Sequence, residues 1–156
     1  MGTNVSQSRD KCHYGLGGRK VILALIHWSL LEQFMDPIRL LIIDEHEAVR
    51  QALVSRLQMT GELQVVGSTG SSKEGLLKVD ALSPSVVLLE TKRSDGTGLE
   101  TCRRIAHKHP ETTIVVLTSY MDEDERQAAF MAGAACYILK DIDSAQLLRE
   151  IQNALS

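Results

Sequence analysis

The chain has 156 residues, which is enough for one domain and too few for two. Its hydrophobic share of 44% suffices for one core of ordinary size. The net charge is −3, and beyond residue 35 there are 13 basic against 18 acidic side chains, so direct binding of nucleic acid is not expected. Cys12, Cys102 and Cys136 form no C-x-x-C pair, which argues against a disulfide framework or a zinc site and favours a reducing cytoplasm.

The first 35 residues differ from the rest and are predicted to form an N-terminal extension, partly helical or disordered. Positions 1–20 are polar and rich in Gly and Ser, and a mostly apolar run follows at 21–31. That run is shorter than the roughly 20 residues of a membrane span, and no small-x-small cleavage site follows it. Two interpretations of these residues remain: an extra helix lying on the domain, or an upstream extension that is not native. The folded domain is predicted to occupy residues 36–156.

From residue 37 onward, short apolar runs alternate with segments of helical period. Such near-continuous apolar runs are typical of strands buried on both faces of a parallel sheet. Strands are predicted at 38–43, 64–67, 86–89, 113–117 and 136–139, and helices at 46–58, 72–80, 97–108, 123–132 and 143–155. The alternation predicts right-handed βαβ crossovers and an α/β three-layer sandwich with a parallel five-stranded sheet.

Unusual polar residues follow four of the predicted strands. They are Asp44-Glu45, Glu90, Thr118 and Lys140, at the strand ends where open α/β sheets place their ligand sites. Converging carboxylates repel one another, and a divalent cation or a lysine relieves that repulsion. The oxygens of Asp44 and Glu45 suit Mg²⁺. Lys140 supplies positive charge, and the Thr118 hydroxyl can donate to the same oxygen.

Four motifs resemble those of response-regulator receiver domains. They are Ile-Ile-Asp-Glu-His-Glu-Ala-Val-Arg at 42–50, Asp-Gly-Thr-Gly-Leu-Glu at 95–100, Val-Leu-Thr-Ser at 116–119 and Ala-Gly-Ala-Ala-Cys-Tyr-Ile-Leu-Lys-Asp at 132–141. The resemblance covers residues 38–155 and is greatest to receivers of LuxR/NarL-type helix-turn-helix regulators. It implies a flavodoxin-like (βα)5 fold with strand order 2-1-3-4-5, and a role in two-component signal transduction rather than an enzymatic one.

Each position of the family's site has a counterpart in this chain. The counterparts are the phosphoacceptor position Glu90, the acidic pair Asp44 and Glu45, the switch residues Thr118 and Tyr137, the lysine Lys140 and, for Mg²⁺, the acidic pair with the backbone of Lys92. The implied partners are proteins, namely a histidine kinase or a downstream effector. A homodimer is open as well, whereas direct contact with nucleic acid or membrane is not expected.

The chain departs from the family at four neighbouring positions. Glu90 replaces the acceptor aspartate, Ser94 replaces a proline, and Thr91 and Arg93 replace apolar residues. A carboxylate that is one methylene longer shifts the nucleophile, and misplacements of about 1 Å can cost on the order of 100-fold in rate. We therefore expect little or no phosphorylation, weak or absent Mg²⁺ binding, and partial imitation of the phosphorylated state by Glu90.

Two alternatives are weighed against this interpretation. The first is a conventional Mg²⁺-dependent phosphoacceptor receiver, as a fragment of a DNA-binding transcriptional regulator. The second is a phosphohydrolase resembling the haloacid dehalogenases, but Asp44-Glu45-His46 lacks the D-x-D arrangement that those enzymes need. His46 is the residue that could support catalysis, and at the start of a surface helix it is expected to be solvated.

Overall fold

The apolar runs form five parallel strands in one sheet. The computed structural model describes residues 36–156, and the expected N-terminal extension lies outside them. The strands are β1 (Ile38–Ile43), β2 (Leu63–Thr69), β3 (Val86–Leu89), β4 (Thr113–Thr118) and β5 (Cys136–Leu139). Their order is β2-β1-β3-β4-β5, which confirms the expected topology. The sheet grows from β1 in both directions, and such a reversal opens a crevice at the carboxyl ends of β1 and β3.

Five helices connect and follow the strands. They are α1 (Glu47–Gln58), α2 (Ser72–Leu82), α3 (Gly98–Lys108), α4 (Glu123–Met131) and α5 (Ser144–Leu155). Three of them begin at a side-chain cap, because Ser71, Asp122 and Asp143 each accept a hydrogen bond from the backbone N–H three residues later. The observed bounds agree with the predicted ones to within two residues.

Successive residues of β1 point to opposite faces of the sheet and so belong to two separate cores. Leu41 and Ile43 pack with residues of α2, α3 and α4, such as Val79 and Ile105. Leu40 and Ile42 pack with residues of α1 and α5. Helices therefore cover both faces, as the three-layer prediction requires. No helix within residues 36–156 is long and apolar enough to span a membrane.

Candidate functional site

Asp44 and Glu90 lie side by side at the carboxyl ends of β1 and β3. The two strands pair in register through Ile43 and Leu89, so the residue that follows each strand faces the other. The backbone N–H of Glu90 also donates to the Ile43 carbonyl at 3.0 Å. Both side chains are buried, with 2% of Asp44 and 5% of Glu90 exposed. Two neighbouring buried carboxylates require positive charge or a proton nearby.

Lys140 supplies that charge from the end of β5. Its Nζ lies 2.5 Å from Asp44 Oδ2 and 2.9 Å from Glu90 Oε1. The backbone N–H of Lys140 donates to the Thr118 carbonyl at 2.8 Å, which fixes the lysine beside the sheet. The sequence placed these three residues at one edge of the sheet, and the structure brings their charged groups into direct contact.

His46 contacts the opposite sides of the same carboxylates. Its Nδ1 lies 3.2 Å from Asp44 Oδ1 and 3.3 Å from Glu90 Oε2. Its backbone N–H donates to Asp44 Oδ1 at 2.8 Å, so a local turn carries the ring into the site. The side chain is 58% exposed, as predicted for a solvated histidine, but its contacts with the two carboxylates were not predicted. The sequence signal for these contacts is the position of His46 two residues after a strand-end aspartate, a spacing that is typical of an Asx turn.

The surroundings shift the protonation of the cluster. Burial and the neighbouring Asp44 raise the pKa of Glu90, and Lys140 offsets this only in part. Burial would also raise the pKa of Asp44, but hydrogen bonds with Glu90 and Lys140 outweigh it and hold that pKa below its usual value. The hydrogen bond with Asp44 and the charge of Glu90 raise the pKa of His46. Asp44 is therefore the ionised carboxylate, and Glu90 is the one that takes up a proton more readily.

Glu45 does not join the cluster, contrary to the expectation that it pairs with Asp44 as a metal ligand. Its carboxylate accepts hydrogen bonds from the Ser94 backbone N–H at 3.0 Å and from the Ser94 hydroxyl at 2.5 Å. A proline at position 94 would have no N–H to donate. The substitution of Ser94 for the family's proline therefore supplies the partner that holds Glu45 away from the site.

Arg93 is a buried residue that anchors the loop between β3 and α3. Its side chain is 2% exposed, and its Nε lies 3.2 Å from the Asp95 carboxylate. Its Nη2 donates to the Gly70 carbonyl in the loop between β2 and α2. Its Nη1 is buried without a hydrogen-bond partner among residues 36–156. The sequence marked Arg93 only as a departure, because its partners belong to another loop.

Thr118 and Tyr137, the two predicted switch residues, differ in their hydrogen bonding. The Thr118 hydroxyl donates to the Tyr120 carbonyl at 2.9 Å, instead of to the carboxylate as expected. Tyr137 lies inward, with 7% of the residue exposed, and its hydroxyl has no partner in the part of the chain that the structure describes. Lys92 joins the loops over the site, since its Nζ lies 2.7 Å from Asp122 Oδ2. Of the two side chains, the tyrosine hydroxyl is thus the one without a partner among the described residues.

The side chains at the strand ends fit Mg²⁺ poorly. Mg²⁺ prefers oxygen ligands in octahedral geometry, and Glu45 is held by Ser94. The ligand atoms that do converge belong to Asp44, His46 and Glu90, and they all lie within 4.8 Å of one another. One of the three is an imidazole nitrogen, which Mg²⁺ does not favour. The converging side chains at this strand edge therefore do not form the all-oxygen set that Mg²⁺ prefers.

Comparison with known proteins agrees with this geometry. Residues 40–152 match the family model of the response regulator receiver domain. The chain is 36% identical over 116 residues to the DNA-binding transcriptional activator DevR/DosR of Mycobacterium tuberculosis, covering 74% of this chain and 54% of that protein. It is 33% identical over 117 residues to the transcriptional regulatory protein LiaR of Bacillus subtilis, covering 75% and 56%. The chain thus spans about half the length of these relatives.

Solved structures show the same fold. A DNA-binding response regulator of the LuxR family from Staphylococcus aureus superposes with a TM-score of 0.70 at 22% identity, covering 76% of this chain and 99% of that one. A CheY-like receiver domain protein from Methanospirillum hungatei gives 0.68 at 25% identity, covering 77% and 94%. The matched family model spans most of the domain and includes every residue of the strand-end cluster. The chain therefore belongs to the response-regulator receiver family of two-component signalling.

Proposed function

We propose that this receiver domain signals without ordinary aspartyl phosphorylation. The observation that carries the proposal is the glutamate at the acceptor position, buried and paired with Lys140 at 2.9 Å. In receivers the acceptor oxygen attacks a phosphoryl donor in line, so the rate depends on where that oxygen lies. The extra methylene of Glu90 moves the oxygen away from the aspartate position.

The contacts of Glu90 add a second obstacle to phosphoryl transfer. One of its oxygens faces the Lys140 ammonium and the other faces His46, so both are engaged. Burial and the adjacent Asp44 raise the pKa of Glu90, which lowers the fraction in the nucleophilic, ionised form. Together with the displaced oxygen, these contacts support a rate of phosphoryl transfer to Glu90 on the order of 100-fold below that to an aspartate.

The same contacts support a partial imitation of the activated state. A carboxylate offers one charge and two oxygens, whereas a phosphoryl group brings about two charges and three acceptor oxygens. Glu90 engages Lys140, and Tyr137 lies inward, but the Thr118 hydroxyl donates to the Tyr120 carbonyl. We infer a domain biased toward, but not fixed in, an active-like state.

Intact-mass measurement after incubation with acetyl phosphate and Mg²⁺ tests the acceptor. We expect no gain of a phosphoryl group in the natural protein and a gain of one group in Glu90→Asp, because the aspartate restores the nucleophile. Glu90→Gln is the matched control, since it keeps the length of the side chain without a nucleophilic oxygen. Phosphorylation of the natural protein that disappears in Glu90→Gln would show a working acceptor at Glu90 and overturn the proposal.

The position of Tyr137 provides a test of the bias. We expect the ring resonances of Tyr137 in unphosphorylated Glu90→Asp to differ from those of the natural protein, because the shorter carboxylate weakens the contact with Lys140. Two-dimensional NMR of the aromatic region measures this. Identical Tyr137 resonances in the two proteins would mean that Glu90 does not bias the switch.

A further inference from the structure

We propose that Asp44, His46 and Glu90 form a binding site for a transition-metal dication such as Zn²⁺, selective against Mg²⁺. The site uses carboxylates that also carry the proposed function, but the inference goes beyond that function and does not depend on it. It rests on the positions of three ligand atoms and on their chemistry. A Mg²⁺ site is what the family leads one to expect, and the disagreement with the side chains present is the starting point.

The imidazole nitrogen is already spaced from both carboxylates as metal ligands are from one another. Metal bonds to nitrogen and oxygen of about 2.0–2.2 Å place neighbouring ligand atoms about 2.8–3.6 Å apart in octahedral or tetrahedral geometry. His46 Nδ1 lies 3.2 Å from Asp44 Oδ1 and 3.3 Å from Glu90 Oε2, inside that range. All three ligand atoms lie within 4.8 Å of one another, close enough to share one ion.

The imidazole nitrogen is shared between the two carboxylates rather than bound closely to one of them. Charge-assisted N–H···O hydrogen bonds are typically about 2.7–2.9 Å long. Lys140 reaches the same two carboxylates at 2.5 and 2.9 Å, whereas the imidazole nitrogen stays farther from both. The nitrogen is therefore nearly equidistant from one oxygen of each carboxylate, as a ligand atom that shares an ion with them would be.

The mixture of ligand atoms sets the selectivity. Imidazole nitrogen suits Zn²⁺, Ni²⁺ and Cu²⁺, whereas Mg²⁺ takes carboxylate, carbonyl and water oxygens. Glu45 would be the further oxygen ligand of a Mg²⁺ site, but Ser94 holds its carboxylate through two hydrogen bonds. The site therefore lacks the Glu45 oxygen as a ligand for Mg²⁺, and it contains an imidazole nitrogen that Mg²⁺ does not favour.

Groups around the three ligands hold them in place. Lys140 binds Asp44 Oδ2 and Glu90 Oε1, the oxygens that do not face His46, and so orients the other two toward the ring. The backbone N–H of His46 donates to Asp44 Oδ1, which fixes the ring beside that carboxylate. More than half of the His46 side chain is exposed, so an ion has a path from solvent and room for water ligands.

Isothermal titration of the full chain with ZnCl₂ and with MgCl₂ tests the site. We expect the natural protein to bind Zn²⁺ more tightly than Mg²⁺, and His46→Ala to weaken one Zn²⁺-binding event by about 100-fold or more, since a lost ligand costs at least as much as a lost supporting contact. His107→Ala is the matched control, because His107 is an exposed histidine on α3, away from the cluster. The Zn²⁺-binding event that His46→Ala weakens should be unchanged in His107→Ala.

A second readout keeps the test independent of the folding of the variant. Titrating the natural protein with Zn²⁺ should shift the imidazole nitrogen resonances of His46 in a ¹H–¹⁵N spectrum, and MgCl₂ at the same concentration should not. An unchanged Zn²⁺ titration in a folded His46→Ala protein, or an equal affinity for Mg²⁺, would overturn the proposal. Either result would leave the mass measurement on Glu90 unaffected, so the two proposals fail separately.

Discussion

Replacing Lys140 with methionine is expected to lower the free energy of unfolding by about 3–5 kcal/mol near neutral pH in a buffer with chelator, the cost of breaking a buried ion pair. The ammonium lies 2.5 Å from Asp44 and 2.9 Å from Glu90, and both carboxylates are buried. Methionine keeps most of the volume of the side chain, so the loss reports charge more than packing. Urea unfolding followed by circular dichroism measures it.

The loss of unfolding free energy caused by Lys140→Met should become smaller as the pH falls toward about 4. Burial and Asp44 already raise the pKa of Glu90, and removal of the ammonium removes a contact that lowers it. A carboxyl group with a raised pKa in the folded state binds a proton that the unfolded chain has released. Its contribution to stability is therefore complete below the ordinary glutamate pKa and is lost as the pH rises through the raised pKa.

Two control variants separate charge from packing. Lys108→Met removes an exposed lysine that pairs with Asp80 at the surface, and little change is expected at either pH. Adding Glu90→Gln to Lys140→Met removes one of the two unpaired carboxylates and should restore part of the loss near neutral pH. An equal loss from Lys140→Met at both pH values would mean that the aliphatic part of the lysine, and not its charge, stabilises the fold.

The fold was predictable from the sequence because its signals are local and repeated. Each central strand is a short apolar run, and each lies buried on both faces as such runs predict. The differences occur where the signal weakens. Strand β2 extends to Thr69, two residues beyond the predicted end. The prediction ended too early because edge positions such as Gln64 and Ser68 face solvent and carry polar side chains, which interrupt the apolar pattern. Pairing with β1, and not hydrophobicity, sets the length of that strand.

The site was predictable only as far as strand ends could place it. Asp44, Glu90 and Lys140 meet because the carboxyl ends of parallel strands share one edge. The partners of Glu45, Thr118 and Arg93 depend instead on loop conformation, which periodicity does not encode. Glu45 contacts Ser94 across 49 positions, and Arg93 contacts Gly70 across 23, so neither pairing leaves a local signal in the sequence.

Replacing Gly98 with alanine is expected to cost about 3 kcal/mol of stability, at the upper end of the usual range for overpacking. Gly98 is buried at the first position of α3 and packs against the backbone of Thr91, directly after Glu90. A Cβ at position 98 would overlap the Thr91 carbonyl oxygen and lie 2.5 Å from Thr91 Cα. These are backbone atoms, so no change of rotamer relieves the clash.

The comparison with Gly61 distinguishes this clash from ordinary glycine effects. Gly61 has φ +72° and nothing within 4 Å of an added Cβ, so alanine there should cost only the roughly 1–2 kcal/mol of a left-handed residue. Because the clash at Gly98 pushes on Thr91, it should also move Glu90 relative to Lys140. Thermal unfolding gives the two stability losses, and NMR shifts of Lys140 report the movement. Equal losses for the two variants, with the Lys140 resonances unshifted, would mean that α3 is not packed against Thr91 as the structure shows.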